Sequence, residues 1–107
     1  MYQLQFINLD YNPSTLTKKQ LNLIQQFLGN WKNQSLQKSI SIRYERHTHL
    51  NQYQIIQIDS NHQRIKILPE DNQQIIYTLD YEDAQHILIQ TSIHHSYGTS
   101  RPIRYEK

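Results

Sequence analysis

The sequence predicts an α+β fold in which one amphipathic helix packs on a curved, mostly antiparallel sheet of about five to six strands. Two observations lead to this prediction. In one segment, which follows a strong N-capping signal, apolar residues recur at helical spacing. In several short segments around it, apolar and polar residues alternate with the period of a strand. The chain of 107 residues has the size of one domain, so residues 1–107 are assigned to a single core.

The helix is expected over residues 18–29. Thr17 and Gln20 have the spacing of a capping box, and Leu16 and Leu21 occupy the hydrophobic-staple positions around an N-cap at Thr17. A Gly-Asn pair near the end of the segment is expected to end the helix. The residues of the apolar stripe recur at steps of three and four: Leu21, Ile24, Leu28 and Trp31, with Phe27 beside them.

The strand pattern gives the order β-α-β-β-β-β-β, a roll or cystatin-like arrangement. In the first strand, Tyr2, Leu4 and Phe6 share one face. Residues 81–91 fit either a helix or a strand, and we favour a turn through 81–85 followed by a strand. The tail over 96–107 is expected to lie over the surface or fray. The strands are predicted at 2–9, about 39–46, 53–59, 62–68, 74–79 and 86–93.

Composition excludes several classes of protein. There is no cysteine, which rules out disulfides, thiolate nucleophiles and cysteine-ligated metal sites. The N-terminal residues show no signal-peptide pattern, and no stretch approaches the roughly 20 apolar residues of a membrane span. We therefore expect a cytoplasmic protein with no membrane segment. Net charge is +2, yet residues 69–87 hold five acids and no base, an asymmetry that can steer a charged partner.

One short segment resembles a known family. Phe27-Leu28-Gly29-Asn30-Trp31 is similar to the F-x-G-x-W opening of lipocalin-type barrels, in which Gly and Trp precede the first strand. The resemblance implies a barrel of eight strands. The capped helix before the segment and the short chain after Trp31 depart from that pattern, so we place Trp31 in the core at the helix end and carry over no ligand function.

Six histidines raise the question of a metal site, because neutral imidazole is a common ligand of zinc. His47 and His49 are two residues apart, and in an extended segment they would point to the same side. A third ligand would come from His94 or His95, but nothing in the sequence brings those residues near the pair. We therefore predict solvated loop histidines, with no metal and no cofactor.

A nucleic-acid role is the alternative function. A small RNA-binding protein would use a basic sheet face with Arg43, Arg64 and Lys66, helped by stacking from some of the eight tyrosines. A ribonuclease-like toxin needs a general base, a general acid and a cation at the phosphate. The residue types for that chemistry are present, without a spacing that fixes their geometry, in Glu45, His47, Arg43, Arg64 and His95.

The function favoured by the sequence is non-enzymatic docking onto another protein, as an inhibitor, immunity-type factor or adaptor. No compact catalytic signature is visible, and acidic residues lie on the turns that flank one strand, where they would meet a basic partner and speed association. The candidate contact residues are Glu70, Asp71, Glu82 and Asp83. An exposed edge strand would also permit a homodimer.

Overall fold

The structure is a computed structural model that describes residues 2–93 and 100–107. It contains one α-helix, α1 (Lys18–Phe27), and a single 3-10 turn at Pro13–Thr15 among these residues. The strands are β1 (Gln3–Asp10), β2 (Gly29–Asn33), β3 (Lys38–Arg43), β4 (Gln52–Asp59), β5 (Arg64–Pro69), β6 (Ile75–Asp83), β7 (His86–Ile93) and β8 (Ile103–Glu106).

The eight strands form a closed barrel in the order β1-β3-β2-β8-β7-β6-β5-β4. β1 lies between β3 and β4 and is parallel to both, whereas every other neighbouring pair is antiparallel. The predicted open sheet of five to six strands with a helix across it is therefore wrong. Closure removes nearly all free edges, which an open sheet would have left exposed.

Two strands that the sequence pattern missed complete the barrel. The sequence predicts a helix as far as residue 29 and no strand from there to about residue 39, but α1 stops at Phe27 because Leu28 is already extended, with φ −69° and ψ 136°. Gly29 follows with a φ of +136°, a conformation that favours glycine, and the chain enters β2. The predicted tail contains β8, which pairs with β7 along its whole length and with β2 at one position.

The lipocalin-like segment is therefore the start of a barrel strand, and the placement of Trp31 at the helix end is wrong. Trp31 points into the barrel from β2, and its indole Nε1 donates to the carbonyl oxygen of Phe27 at 2.8 Å. The chain after Trp31 does not need to supply all eight strands, because β1 precedes the helix and is inserted between β3 and β4.

The start of the helix is confirmed. Thr17 is the N-cap, its hydroxyl accepts from the backbone N–H of Gln20, and the Gln20 side chain accepts from the backbone N–H of Thr17. The apolar face buries Leu23, Ile24 and Phe27 against the strands. The helix thus covers the barrel end at which β1 finishes and β2 begins.

Apolar and polar residues alternate along several strands as expected. In β1, however, the first apolar residues of the segment do not face the core. Ile7 and Leu9 are buried in the core, whereas Tyr2, Leu4 and Phe6 lie on the outer side. In β6 the strand continues to Asp83 instead of turning at Tyr81, and a short turn leads to β7. No helix within the described ranges is both long and apolar enough to cross a membrane.

Candidate docking surface

The barrel is open at the end opposite α1, where its inward-facing residues are largely polar. They surround a cavity of about 470 Å³. Gln5 Nε2 donates to the hydroxyl of Tyr53 at 2.9 Å, and the Tyr53 ring meets the ring of Tyr77 edge to face at 5.8 Å. Burial raises the pKa of Tyr53 and of Tyr105, which keeps both hydroxyls protonated at neutral pH. Three isoleucines complete much of the wall: Ile40, Ile89 and Ile103.

An exposed apolar surface lies on the outside of the wall beside this cavity. We call Tyr2, Leu4, Phe6, Arg43 and Leu50 the β1 face. Phe6 is 43% exposed and Leu50 is 73% exposed, and the two line a cleft of about 300 Å³. The guanidinium of Arg43 stacks over the Phe6 ring at 5.5 Å from its centroid. Apolar side chains grouped in this way on a surface are typical of protein-binding sites.

The acidic residues predicted for protein docking do not form one patch. Glu70 and Asp71 follow β5, whereas Glu82 and Asp83 end β6, and the nine residues of β6 span about 27 Å between the two turns. The pairs are therefore separate features of the surface, and their role in docking stays a prediction.

Three of these four acids have partners within the chain. Glu82 Oε2 lies 3.0 Å from Arg104 Nη2. Asp83 accepts from the backbone N–H of Gln85 at 2.8 Å and contacts His86, and these hydrogen bonds lower its pKa. Glu70 shares a hydrogen bond with Asp10, which raises the pKa of Glu70.

The basic residues predicted for nucleic-acid binding are also separated. Arg64 and Lys66 lie on β5, whereas Arg43 lies on β3, with β1 and β4 between them. Arg64 Nε donates to Asp80 Oδ1 at 2.6 Å across the neighbouring strand, so part of its charge is already neutralised. The barrel therefore does not present these three cations as one face.

The histidine hypotheses receive little geometric support. His47 lies with Glu45 in the β3–β4 connection, while Arg64 is on β5. Within residues 2–93 and 100–107, no group of three or more histidine, aspartate or glutamate side chains is placed to hold a metal ion. His94 and His95, named for the metal and nuclease hypotheses, lie outside the described residues.

The β1 face is not among the sites predicted from the sequence. The signal was present, because Tyr2, Leu4 and Phe6 share one phase of an alternating segment while Ile7 and Leu9 share the other. Alternation alone does not say which of two apolar phases is buried.

The exposed apolar β1 face on a closed barrel indicates the class of protein-binding domains. The family description staphostatin B matches residues 3–107. Staphostatin B of Staphylococcus aureus strain COL is 57% identical over 107 residues, covering 100% of this chain and 98% of that protein. The protein of strain N315 is 56% identical over the same lengths. The chain belongs to the staphostatin B family.

A solved structure shares the fold. Staphostatin A of Staphylococcus aureus, determined in solution and described as confirming a novel class of cysteine proteinase inhibitors, matches with a TM-score of 0.62 at 19% identity. The match covers 99% of this chain and 94% of that chain, which agrees with the barrel and against the predicted open sheet. Family membership confirms the prediction of a non-enzymatic inhibitor that docks onto another protein.

Proposed function

We propose that this protein inhibits a cysteine proteinase by docking its folded barrel over the enzyme's substrate-binding cleft. The observation that carries the proposal is the 57% identity with staphostatin B over the whole chain, joined to the description of staphostatin A as a cysteine proteinase inhibitor. The partner class is taken from these relatives, and the chain's own surface supplies the means of binding.

The geometry supports docking in two ways. A closed barrel with a covered end is rigid, so little conformational entropy is lost when its surface is bound. The β1 face offers exposed apolar area, with Arg43 held over Phe6 by the ring and by a hydrogen bond from its Nε to the Ser41 hydroxyl at 2.8 Å. Interfaces of inhibitors with proteinases bury about 800 Å² on each partner, with aromatic and arginine side chains contributing strongly.

The test is a titration of purified protein into active-site-titrated cysteine proteinases encoded in the genome of its source organism. Activity should fall to zero at a molar ratio of one, and mass spectrometry should recover the inhibitor uncleaved. Trypsin, a serine proteinase, is the control and should keep its activity. Full activity of every cysteine proteinase at micromolar inhibitor would refute the proposal.

The site of action is a further part of the proposal. We infer that the protein acts in the cytoplasm as an immunity-type factor, shielding its producing cell from a proteinase before export. The absence of cysteine is compatible with a reducing compartment. Fractionation of cells should recover the protein with cytoplasmic markers, and recovery only from the medium would contradict this location.

A further inference from the structure

The wall of the barrel is incomplete beside the N-terminal half of β1. β1 pairs with β3 over Gln3–Asn8 but with β4 only over Asn8–Asp10. β4 begins at Gln52, which lies opposite Asn8, so no described strand lies on that side of residues 3–7. Among the described residues, no strand lies between this half of β1 and the cavity residues Tyr53 and Tyr77, and we call this space the gap.

The backbone of β1 presents hydrogen-bonding groups to this gap. Asn8 donates its N–H toward β4, to the Asn51 carbonyl at 2.9 Å, whereas Gln3 donates toward β3, to the Gln37 carbonyl at 2.8 Å. Because these directions alternate along a strand, the N–H and C=O groups of Leu4 and Phe6 point into the gap. No described backbone group pairs with them there. Within residues 2–93 and 100–107 they form an unpaired edge of the kind that accepts an added strand.

The cavity behind this edge has a definite chemistry. Among the described residues, Lys38 is the charged residue that lines the cavity, and it has no ion-pair partner among them. The Tyr53 hydroxyl accepts from Gln5, which leaves its own proton for another acceptor. The lining includes no aspartate or glutamate from residues 2–93 and 100–107. A cation and several donors therefore surround a space that suits a carboxylate.

We propose that the gap binds an extended segment of the partner proteinase, which adds as a strand to β1 and places an acidic side chain beside Lys38 and Tyr53. This inference rests on the proposed function. Main-chain hydrogen bonds to Leu4 and Phe6 hold the segment. Its inward side chain enters the cavity, and its outward neighbours pack on the apolar β1 face.

Charge complementarity argues for this occupant against a second copy of the chain. The residues that β1 turns inward at this end are Gln3, Gln5 and Ile7, none of which carries a carboxylate. A second β1 edge would therefore leave Lys38 without an anionic partner. An acidic strand satisfies both the β1 backbone groups and the Lys38 cation, which have no partner among the described residues.

Amide hydrogen exchange of the inhibitor, free and bound to its proteinase, tests the added strand. Wild-type inhibition is measured first, so that failure of the proposed function is recognised separately. Exchange at Leu4 and Phe6 should slow at least about tenfold in the complex, because protection follows hydrogen bonding. Gln5 and Ile7 point to β3 and serve as internal controls. An inhibitor that binds without protecting Leu4 and Phe6 overturns the inference, as does protection in the free protein that rises with its concentration.

Matched variants test the same contacts by affinity. Leu4→Pro removes the edge N–H without touching the β3 ladder, and Leu4→Ala removes a similar side chain but keeps that N–H. The inhibition constant of Leu4→Pro should exceed that of Leu4→Ala about tenfold. Lys38→Gln should weaken inhibition about tenfold at low salt, and Lys32→Gln, on the outer face of β2, should not. Equal inhibition constants for the two variants of either pair would overturn the inference. If Leu4→Pro does not fold, the hydrogen-exchange measurement decides instead.

Discussion

Substituting each of the two phenylalanines of the chain distinguishes a residue that stabilises the fold from one that contacts the proteinase. Phe27 is 0% exposed at the end of α1, and its ring meets the Tyr81 ring edge to face at 6.0 Å. Phe27→Ala removes that ring from the packed end of the barrel, and deletions of this kind cost about 3–5 kcal/mol. With a urea slope of about 1–3 kcal/mol/M, the unfolding midpoint should fall by about 1 M or more. The Trp31 hydrogen bond to the Phe27 carbonyl does not depend on the deleted ring.

Phe6→Ala is the matched control, because it deletes the same ring from a side chain that is 43% exposed. Its free energy of unfolding should fall by less than about 1 kcal/mol, as for most surface changes. Its inhibition constant should rise at least about tenfold, since Phe6 lies in the β1 face. The assays are urea unfolding by circular dichroism and titration of proteinase activity. Equal destabilisation by the two variants, or unchanged inhibition by Phe6→Ala, would refute the reasoning.

Three further predictions concern the helix cap and the acidic turns. Thr17→Ala should lower the free energy of unfolding by about 1 kcal/mol in urea titration, because the hydrogen bond that the Thr17 hydroxyl accepts from the Gln20 N–H is lost; no change would mean that this bond adds no stability. Glu70→Gln should raise the unfolding midpoint at pH 7 but not below about pH 4. The hydrogen bond to Asp10 raises the folded pKa of Glu70, so its contribution is present below the unfolded pKa and is lost as pH rises through the folded one; a pH-independent difference would contradict this. Reversing Asp71 and Glu82 to Lys should slow association with the proteinase at about 20 mM salt, where the Debye length is about 20–30 Å, and should slow it less at high salt. An unchanged association rate in stopped-flow measurements would show that the acidic turns take no part in docking.

Local features of the chain were predictable because their causes lie within a few residues. The capping box at Thr17 and Gln20 sets the helix start in the structure as in the sequence. The strand predicted after residue 85 is also present, as β7, although the predicted turn begins later than Tyr81, after Asp83 has ended β6. In each case side-chain and backbone groups close in sequence decide the conformation.

Barrel closure was not predictable from the same patterns. β2 is only five residues and begins directly after the helix, and β8 is only four residues within an apparently irregular tail. β2 contains one large apolar residue, and the alternation of β8 extends over four residues only, which is too short to predict a strand. They become strands because β3 and β7 offer them partners that are distant in sequence.

The docking surface also depends on pairing between strands that are distant in sequence. β1 carries apolar residues in both phases, and insertion between β3 and β4 buries Ile7 and Leu9 while leaving Leu4 and Phe6 outside. The late start of β4 then leaves this edge of β1 without a neighbouring strand from the described part of the chain, beside Lys38. The sequence by itself determined a small, cysteine-free domain with one capped helix and several strands, because composition and local periodicity are properties of the chain. Only the tertiary structure decided the closure of the barrel, the buried phase of β1 and the open edge, because each follows from pairing between segments far apart in sequence.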